Sequence, residues 1–152
     1  MAGTIEVIGI DHIYLTVSSL ERAERFYDRV LKEALGFRKN GFSIGGEAHV
    51  QYYNRQFGIV LRPARDGTAA HDRYAPGLHH LCLRVMDEED VDRVAALLVE
   101  AGVVVTPPRL YPEYAPDYRA VFLDDPDGLR LEITNFRAER KERMHRWEAS
   151  GE

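Results

Sequence analysis

The chain has 152 residues, 45% hydrophobic and 30% charged, enough for one compact core or two very small ones packed together. Its net charge is −5, from 20 basic and 25 acidic side chains, and the basic residues are scattered rather than gathered in a stripe with interleaved aromatics, which argues against nucleic acid as the main partner. No apolar run approaches a membrane span, MAGTIEVIGI lacks the features of a secretory signal, and the single cysteine, Cys82, excludes an internal disulfide framework, so a cytoplasmic protein is expected.

The first element in chain order is a strand. GIDHIYLTV (Gly9 to Val17) alternates apolar and variable positions, which places Ile13, Leu15 and Val17 on one face and His12, Tyr14 and Thr16 on the other. Ser18-Ser19-Leu20-Glu21 then has the form of a capping box, and Ala23, Phe26, Tyr27, Val30, Leu31 and Ala34 follow at helical spacing up to Gly36. Extended, β-rich segments are expected near Phe42–Ile44, His49–Asn54 and Gly58–Arg62. The stretch from Arg65 has no periodicity and reads as a linker over 65–76.

The pattern then starts again. At an offset of 68, GLHHLCLRV (Gly77 to Val85) repeats the first strand with Gly, His, Leu and Val in register. Asp87 is the expected N-cap of a second helix carrying Val91, Val94, Ala95, Leu98 and Ala101 and stopping at Gly102. Strands are expected at Val103–Thr106, Tyr118–Leu123 and Leu129–Asn135. The order is therefore β-α-β-β-β twice, an α+β protein of two tandem modules over 1–64 and 77–136. The tail over 137–152 is densely charged, a short solvated helix or a frayed end.

A lone histidine in a strand is usually structural. His12 and His80, however, occupy the same repeat position, and both point away from the apolar face of their strands. In GLRLEITN, Leu129, Leu131 and Ile133 form the apolar face, so Glu132 points the other way with Arg130. A carboxylate in a central strand needs a partner, because burying it unpaired is costly. A divalent metal ion between two imidazoles and one carboxylate supplies that partner and keeps coordination positions open for substrate. The competing arrangement pairs Glu132 with Arg62 or Arg84 and leaves the histidines hydrogen-bonded internally.

The β-α-β-β-β repeat, the strands IDHIYLTV and GLHHLCLRV, and the ending VFLDDPDGLRLEI resemble the vicinal oxygen chelate superfamily, which includes glyoxalase I, fosfomycin-resistance thiol transferases, extradiol dioxygenases and bleomycin-resistance proteins. The resemblance covers about residues 5–136. It implies a glyoxalase-like fold of curled mixed sheets around a shared cavity, one such domain overall, and usually a homodimer. It also implies that His12, His80 and Glu132 are metal ligands, with Glu132 the candidate catalytic residue. The metal would be Fe, Mn, Zn or Ni and the partner a small oxygen-rich substrate, in a lyase, isomerase, transferase or dioxygenase type of reaction. The alternative is a non-catalytic protein that sequesters a ligand or antibiotic, as bleomycin-resistance proteins do.

Departures from the family pattern narrow the site. Aligning Gly58 with Gly128 sets Arg62 opposite Glu132, where glyoxalase I carries a fourth ligand; Arg cannot coordinate a cation, but it suits a substrate carboxylate or phosphonate, or else a salt bridge. Gln51 or His49 replaces that ligand only if strand register turns it inward. Phe122 stands ten residues before Glu132, where extradiol dioxygenases and fosfomycin-resistance enzymes usually carry a tyrosine, and the missing hydroxyl counts against both of those chemistries. Tyr118 shares that face but is expected to reach another part of the cavity. Tyr111, in the loop LYPEYAPDY, is a candidate to close over a ligand, whereas Tyr114 is expected to anchor the loop. Arg130 is the weaker substrate group because strand ends splay, and Cys82 is expected to fill space rather than attack.

Overall fold

The computed structural model describes residues 3–150, with side chains described through residue 147. Contacts divide the chain into two units, Met1–Ala69 and Ala70–Glu152. In the first, β1 (His12–Val17), α1 (Leu20–Tyr27), β2 (Arg38–Ile44), β3 (Glu47–Tyr53) and β4 (Gly58–Pro63) build a sheet of order β1-β4-β3-β2. In the second, β5 (His80–Val85), α2 (Glu88–Glu100), β6 (Arg109–Leu110), β7 (Arg119–Asp124) and β8 (Arg130–Asn135) repeat that plan as β5-β8-β7-β6. The first and last strands of each unit pair in parallel and the rest antiparallel, so both units have the expected β-α-β-β-β order. Neither sheet closes on itself.

Period-two alternation decides what each sheet face meets. In the first unit Leu15, Val17, Val50, Tyr52, Ile59 and Leu61 are buried on the side that receives Ala23, Tyr27, Val30 and Leu31. In the second, Val121, Leu123, Leu131 and Ile133 meet Val91, Val94, Ala95 and Leu98. The opposite faces carry the polar and ionisable residues.

Local chemistry sets the element ends. The cap of α1 is Ser19, whose hydroxyl accepts from Arg22 N at 3.2 Å. The expected box from Ser18 does not form, because the reciprocal acid is needed at position 22, which is arginine; Glu21 pairs with Arg25 instead. After Tyr27 the helix widens into π-helical turns over Asp28–Ala34, where the Tyr52 hydroxyl reaches the Glu24 carbonyl and the Asp28 carboxylate. Asp87 caps α2 as expected, with the Asp90 carboxylate accepting its N–H, and Gly102 at φ 77° ends the turn.

Two strands differ from expectation. β2 begins at Arg38 rather than Phe42, because Gly45 and Gly46, at φ 58° and 81°, make a two-residue hairpin that carries pairing back to Arg38↔Tyr53. The strand expected at Val103–Thr106 is reduced to Arg109–Leu110: Pro107 and Pro108 have no N–H to continue a ladder, and Thr106 is fastened to β7 through bonds to and from Phe122. The charged tail forms α3 (Ala138–Ser150), and its last two residues lie outside the described residues. No described helix is long and apolar enough to cross a membrane.

A part-buried ion cluster ties the widened helix to the first sheet. Lys39 Nζ lies 2.8 Å from Asp28 and 2.5 Å from Glu24, and Tyr52 donates to Asp28 at 2.7 Å. Desolvation alone would raise the Asp28 carboxyl, but the bonds from Lys39 and Tyr52 outweigh it and hold the pKa below the usual carboxylate range. A depressed carboxylate pKa contributes stability that is present above the unfolded value and lost as pH falls through the folded one. Asp28→Asn is therefore expected to be less stable than wild type at pH 7, with the gap closing below about pH 4. Urea titrations at stepped pH measure that gap.

Candidate metal centre

The parallel pairing of β5 with β8, and the antiparallel pairing of β8 with β7, set Cys82, Glu132 and Phe122 side by side in one row and His80, Arg130 and Asp124 in the next. Glu132 is 3% exposed. Its Oε1 accepts a hydrogen bond from the Tyr118 hydroxyl, and its Oε2 lies 3.2 Å from His80 Nε2. Among the described residues no arginine or lysine pairs with it. Arg84 instead lies over the Phe136 ring at 4.1 Å, and Arg62 pairs with Glu47, so the competing arrangement with Arg62 or Arg84 on Glu132 is absent.

These donors fit a cation. A buried carboxylate with a histidine and a phenol for neighbours, and no arginine or lysine on it among the described residues, is a suitable ligand for a cation. Two ligand atoms about 2.1 Å from one ion, about 90–110° apart, are separated by roughly 3.0–3.4 Å, and the observed 3.2 Å lies in that range. Within neither unit do three or more His, Cys, Asp or Glu side chains gather into a metal cluster, among the described residues. The second unit supplies two donors, and His12 belongs to the first.

Tyr118 corrects an expectation. It sits just ahead of β7, and its long side chain leans along the strand to Glu132 rather than to a separate part of the face. Desolvation and the Glu132 bond raise its hydroxyl pKa well above the ordinary phenol value, so it remains a donor. Phe122, which offers no hydroxyl, contributes a ring with the Arg130 guanidinium 4.8 Å above it and Tyr111 edge-on at 5.5 Å. Tyr114, expected to anchor the loop, stacks on Tyr111 at 5.9 Å and lies 5.2 Å from Tyr118. Arg130, set aside as a strand end, stands in register with His80, with its buried Nε lacking a hydrogen bond.

In the first unit His12 Nδ1 lies 2.6 Å from Asp11 Oδ1. Gln51 shares the His12 face: a Cβ placed on Gly58 would meet Gln51 Nε2 at 3.3 Å and His12 Cβ at 3.8 Å, so this glycine leaves room for the amide. His49 is buried, stacked on Phe42 at 5.0 Å and bonded through Nδ1 to the Glu47 carbonyl. Arg62 lies 2.5 Å from Glu47, which also meets Arg65. The ladder also corrects the alignment of the two modules. Tyr14, equivalent to Cys82, pairs with Val60, whereas Cys82 pairs with Glu132. The counterpart of Glu132 is thus Val60 and that of Arg62 is Thr134; a valine likewise offers no fourth ligand.

Sequence reasoning did not single out Asp11 or His79. Each bonds the Nδ1 of the histidine that follows it, His79 at 2.8 Å. The signal was present, since the repeat sets Asp11 and His79 in equivalent positions.

Solvent reaches Cys82, yet desolvation of its crowded sulfur, followed by the negative charge of Glu132, pushes the thiol up to about 12. In chelator-treated protein at pH 7.5 it is expected to react with a disulfide reagent hundreds- to a thousandfold more slowly than a free cysteine, because so little thiolate is present. Stopped-flow thiol labelling checks this; a rate near that of free cysteine would show an accessible thiolate.

The comparisons agree with this architecture. The profile of the Glyoxalase/Bleomycin resistance protein/Dioxygenase superfamily matches residues 9–133. The metallothiol transferase FosB of Shouchella clausii is 30% identical over 130 residues, covering 84% of this chain and 80% of that protein. The catechol-2,3-dioxygenase of Bacillus subtilis is 24% identical over 128 residues, 82% of this chain and 40% of that longer protein. The crystal structure of a glyoxylase/bleomycin resistance protein/dioxygenase domain from Frankia sp. EAN1pec superposes with a TM-score of 0.70 at 25% identity, covering 87% of this chain and all of that one. The chain belongs to the Glyoxalase/Bleomycin resistance protein/Dioxygenase superfamily, the vicinal oxygen chelate enzymes and their relatives.

Proposed function

We propose that this protein is a divalent-metal enzyme acting on a small oxygen-rich substrate, with His80 and Glu132 as two ligands and His12, from the same chain or from the second chain of a homodimer, as the third. The observation that carries the reading is Glu132: buried on the central strand, paired with no arginine or lysine among the described residues, and with Oε2 3.2 Å from His80 Nε2. A bound ion would act as a Lewis acid toward substrate oxygen and steady the negative charge that develops there. Tyr118 holds the far oxygen of Glu132. Tyr111 meets Phe122 edge-on, and the Arg130 guanidinium over Phe122, held loosely by Asp124 at 3.7 Å, is a candidate for an anionic substrate group.

Arg62 is a weaker candidate for that anion than its residue type suggests, because Glu47 already occupies it. Gln51 remains a candidate substrate contact beside His12. Among reaction types, metal-assisted thiol transfer ranks first, supported by the likeness to a metallothiol transferase over most of both chains. The thiol would come from a small co-substrate. Ring cleavage ranks second.

Protein purified without chelator and reconstituted anaerobically with Mn(II), Fe(II), Zn(II) or Ni(II) is expected to bind about one ion per chain. His12→Ala, His80→Ala and Glu132→Ala should each weaken binding by tenfold or more and abolish turnover in assays pairing small thiols with oxygenated electrophiles, or with catechols. Wild-type metal content in all three variants would sink the reading. A folded wild type that binds no metal would point instead to ligand sequestration.

A further inference from the structure

The chain carries a net charge of −5, yet cations gather at one end of the second sheet. Phe136 follows β8, and its N–H is fastened to the Val85 and Met86 carbonyls where β5 ends. The Arg84 guanidinium lies 4.1 Å from the centroid of the Phe136 ring, and Lys141 Nζ lies 5.5 Å from the same centroid, so two charges share one ring. Arg140 and Arg137 are near enough to act on Arg84: burial first, then their charges, hold its guanidinium below the ordinary arginine value.

Such a gathering is unfavourable as it stands. Like charges repel, and Arg140 and Lys141 also occupy the first turn of α3, the positive end of its dipole. The acids at hand are engaged: Asp117 accepts the Ala138 N–H, and Glu139 meets Arg137 at 3.4 Å. Among the described residues no carboxylate pairs with Arg84, Arg140 or Lys141. By contrast Arg25, Arg62, Arg93, Arg119 and Arg146 each have one.

The cluster lies on the polar face of the sheet, close to Glu132. Arg84 and Cys82 are two residues apart on the same side of β5, about 7 Å along the strand, and Cys82 is the neighbour of Glu132 across the ladder. Arg137 covers the Tyr118 ring at 4.4 Å, and Tyr118 donates to Glu132. Guanidinium groups and an ammonium offer charge-assisted hydrogen bonds to oxygen anions, and an anion is what this arrangement lacks.

We propose that Arg84, Arg140 and Lys141, with Arg137 beside them, bind a small-molecule oxyanion, a carboxylate or a phosphate. A long polyanion fits poorly, because the patch is one cluster on an acidic chain. On the metal reading above, the anion is the tail of a molecule whose reacting end reaches Glu132. That use rests on the metal reading, whereas the anion site does not.

The test uses the whole chain, treated with chelator and labelled with ¹⁵N. Inorganic phosphate and succinate are titrated at constant ionic strength while the side-chain Nε–Hε signals of Arg84 and Arg140 are followed. Saturable shifts are expected, with a dissociation constant on the order of 1 mM or tighter. Arg84→Gln, Arg140→Gln and Lys141→Gln should each weaken binding about threefold to tenfold with thermal midpoints near wild type, and Arg84→Lys, which keeps the charge, should lose less than Arg84→Gln. Arg93→Gln and Arg146→Gln remove the same charge from arginines that already have acid partners, and should stay within about twofold of wild type. The tighter of the two anions identifies the group the site takes. No saturation by about 50 mM of either anion, or losses in the two control variants as large as in the other three, would overturn the proposal. Saturable binding by a chain that takes up no metal would uphold the anion site while rejecting the metal reading, so the two failures are separable.

Discussion

Parallel pairing between the first and last strand of each unit is the constraint on which the candidate centre depends. A parallel ladder joins residues far apart in sequence in a fixed register, and here it sets Cys82 beside Glu132 and His80 one row away. Because side chains alternate across the sheet, that register also settles which of them share a face. A slip of one residue in β8 would turn Glu132 into the helix-packed core and bring Leu131 or Ile133 onto the polar face. The buried leucines and isoleucine that hold β8 against α2 are therefore also what aim the carboxylate.

The energetics of that carboxylate explain why its surroundings are unusual. An unpaired buried charge costs several kcal/mol in a real protein interior, and the usual remedy is an arginine or lysine. This fold instead supplies a phenol on one oxygen and an imidazole near the other. The guanidinium nearest in the register, that of Arg130, lies over the Phe122 ring rather than on the carboxylate. The Tyr118 bond satisfies one oxygen of that carboxylate, and on the metal reading proposed above a cation would supply the charge that is missing. The first unit treats its own acid differently: Glu47 is neutralised by Arg62 and Arg65. The two copies of the module have thus diverged in how each uses its polar face.

The outline of the fold was legible in the sequence. The offset repeat at His12 and His80 and the helical spacing after Ser19 and Asp87 each reflect local backbone preferences that operate without tertiary help. Strand parity put Glu132 on the face opposite Leu131, and the structure agrees. Less legible were the short β6, where two prolines interrupt pairing, and the reach of Tyr118, which depends on two long side chains leaning toward each other across an intervening row. The alignment that equated Arg62 with Glu132 went astray because Gly58 is the first residue of β4 whereas Gly128 lies in the turn before β8, so matching them does not fix the ladder register; hydrogen bonding does.

By itself, then, the sequence determined the modular plan, the family and the identity of three residues able to ligate a cation, because periodicity and residue chemistry are properties of the chain. Tertiary structure decided the partners: that Glu132 meets His80 and Tyr118 rather than an arginine, that Arg62 is neutralised by Glu47, and that Gln51 lies beside His12 over Gly58. Those outcomes turn on ladder register and side-chain reach. Both are set only when strands distant in sequence are brought together.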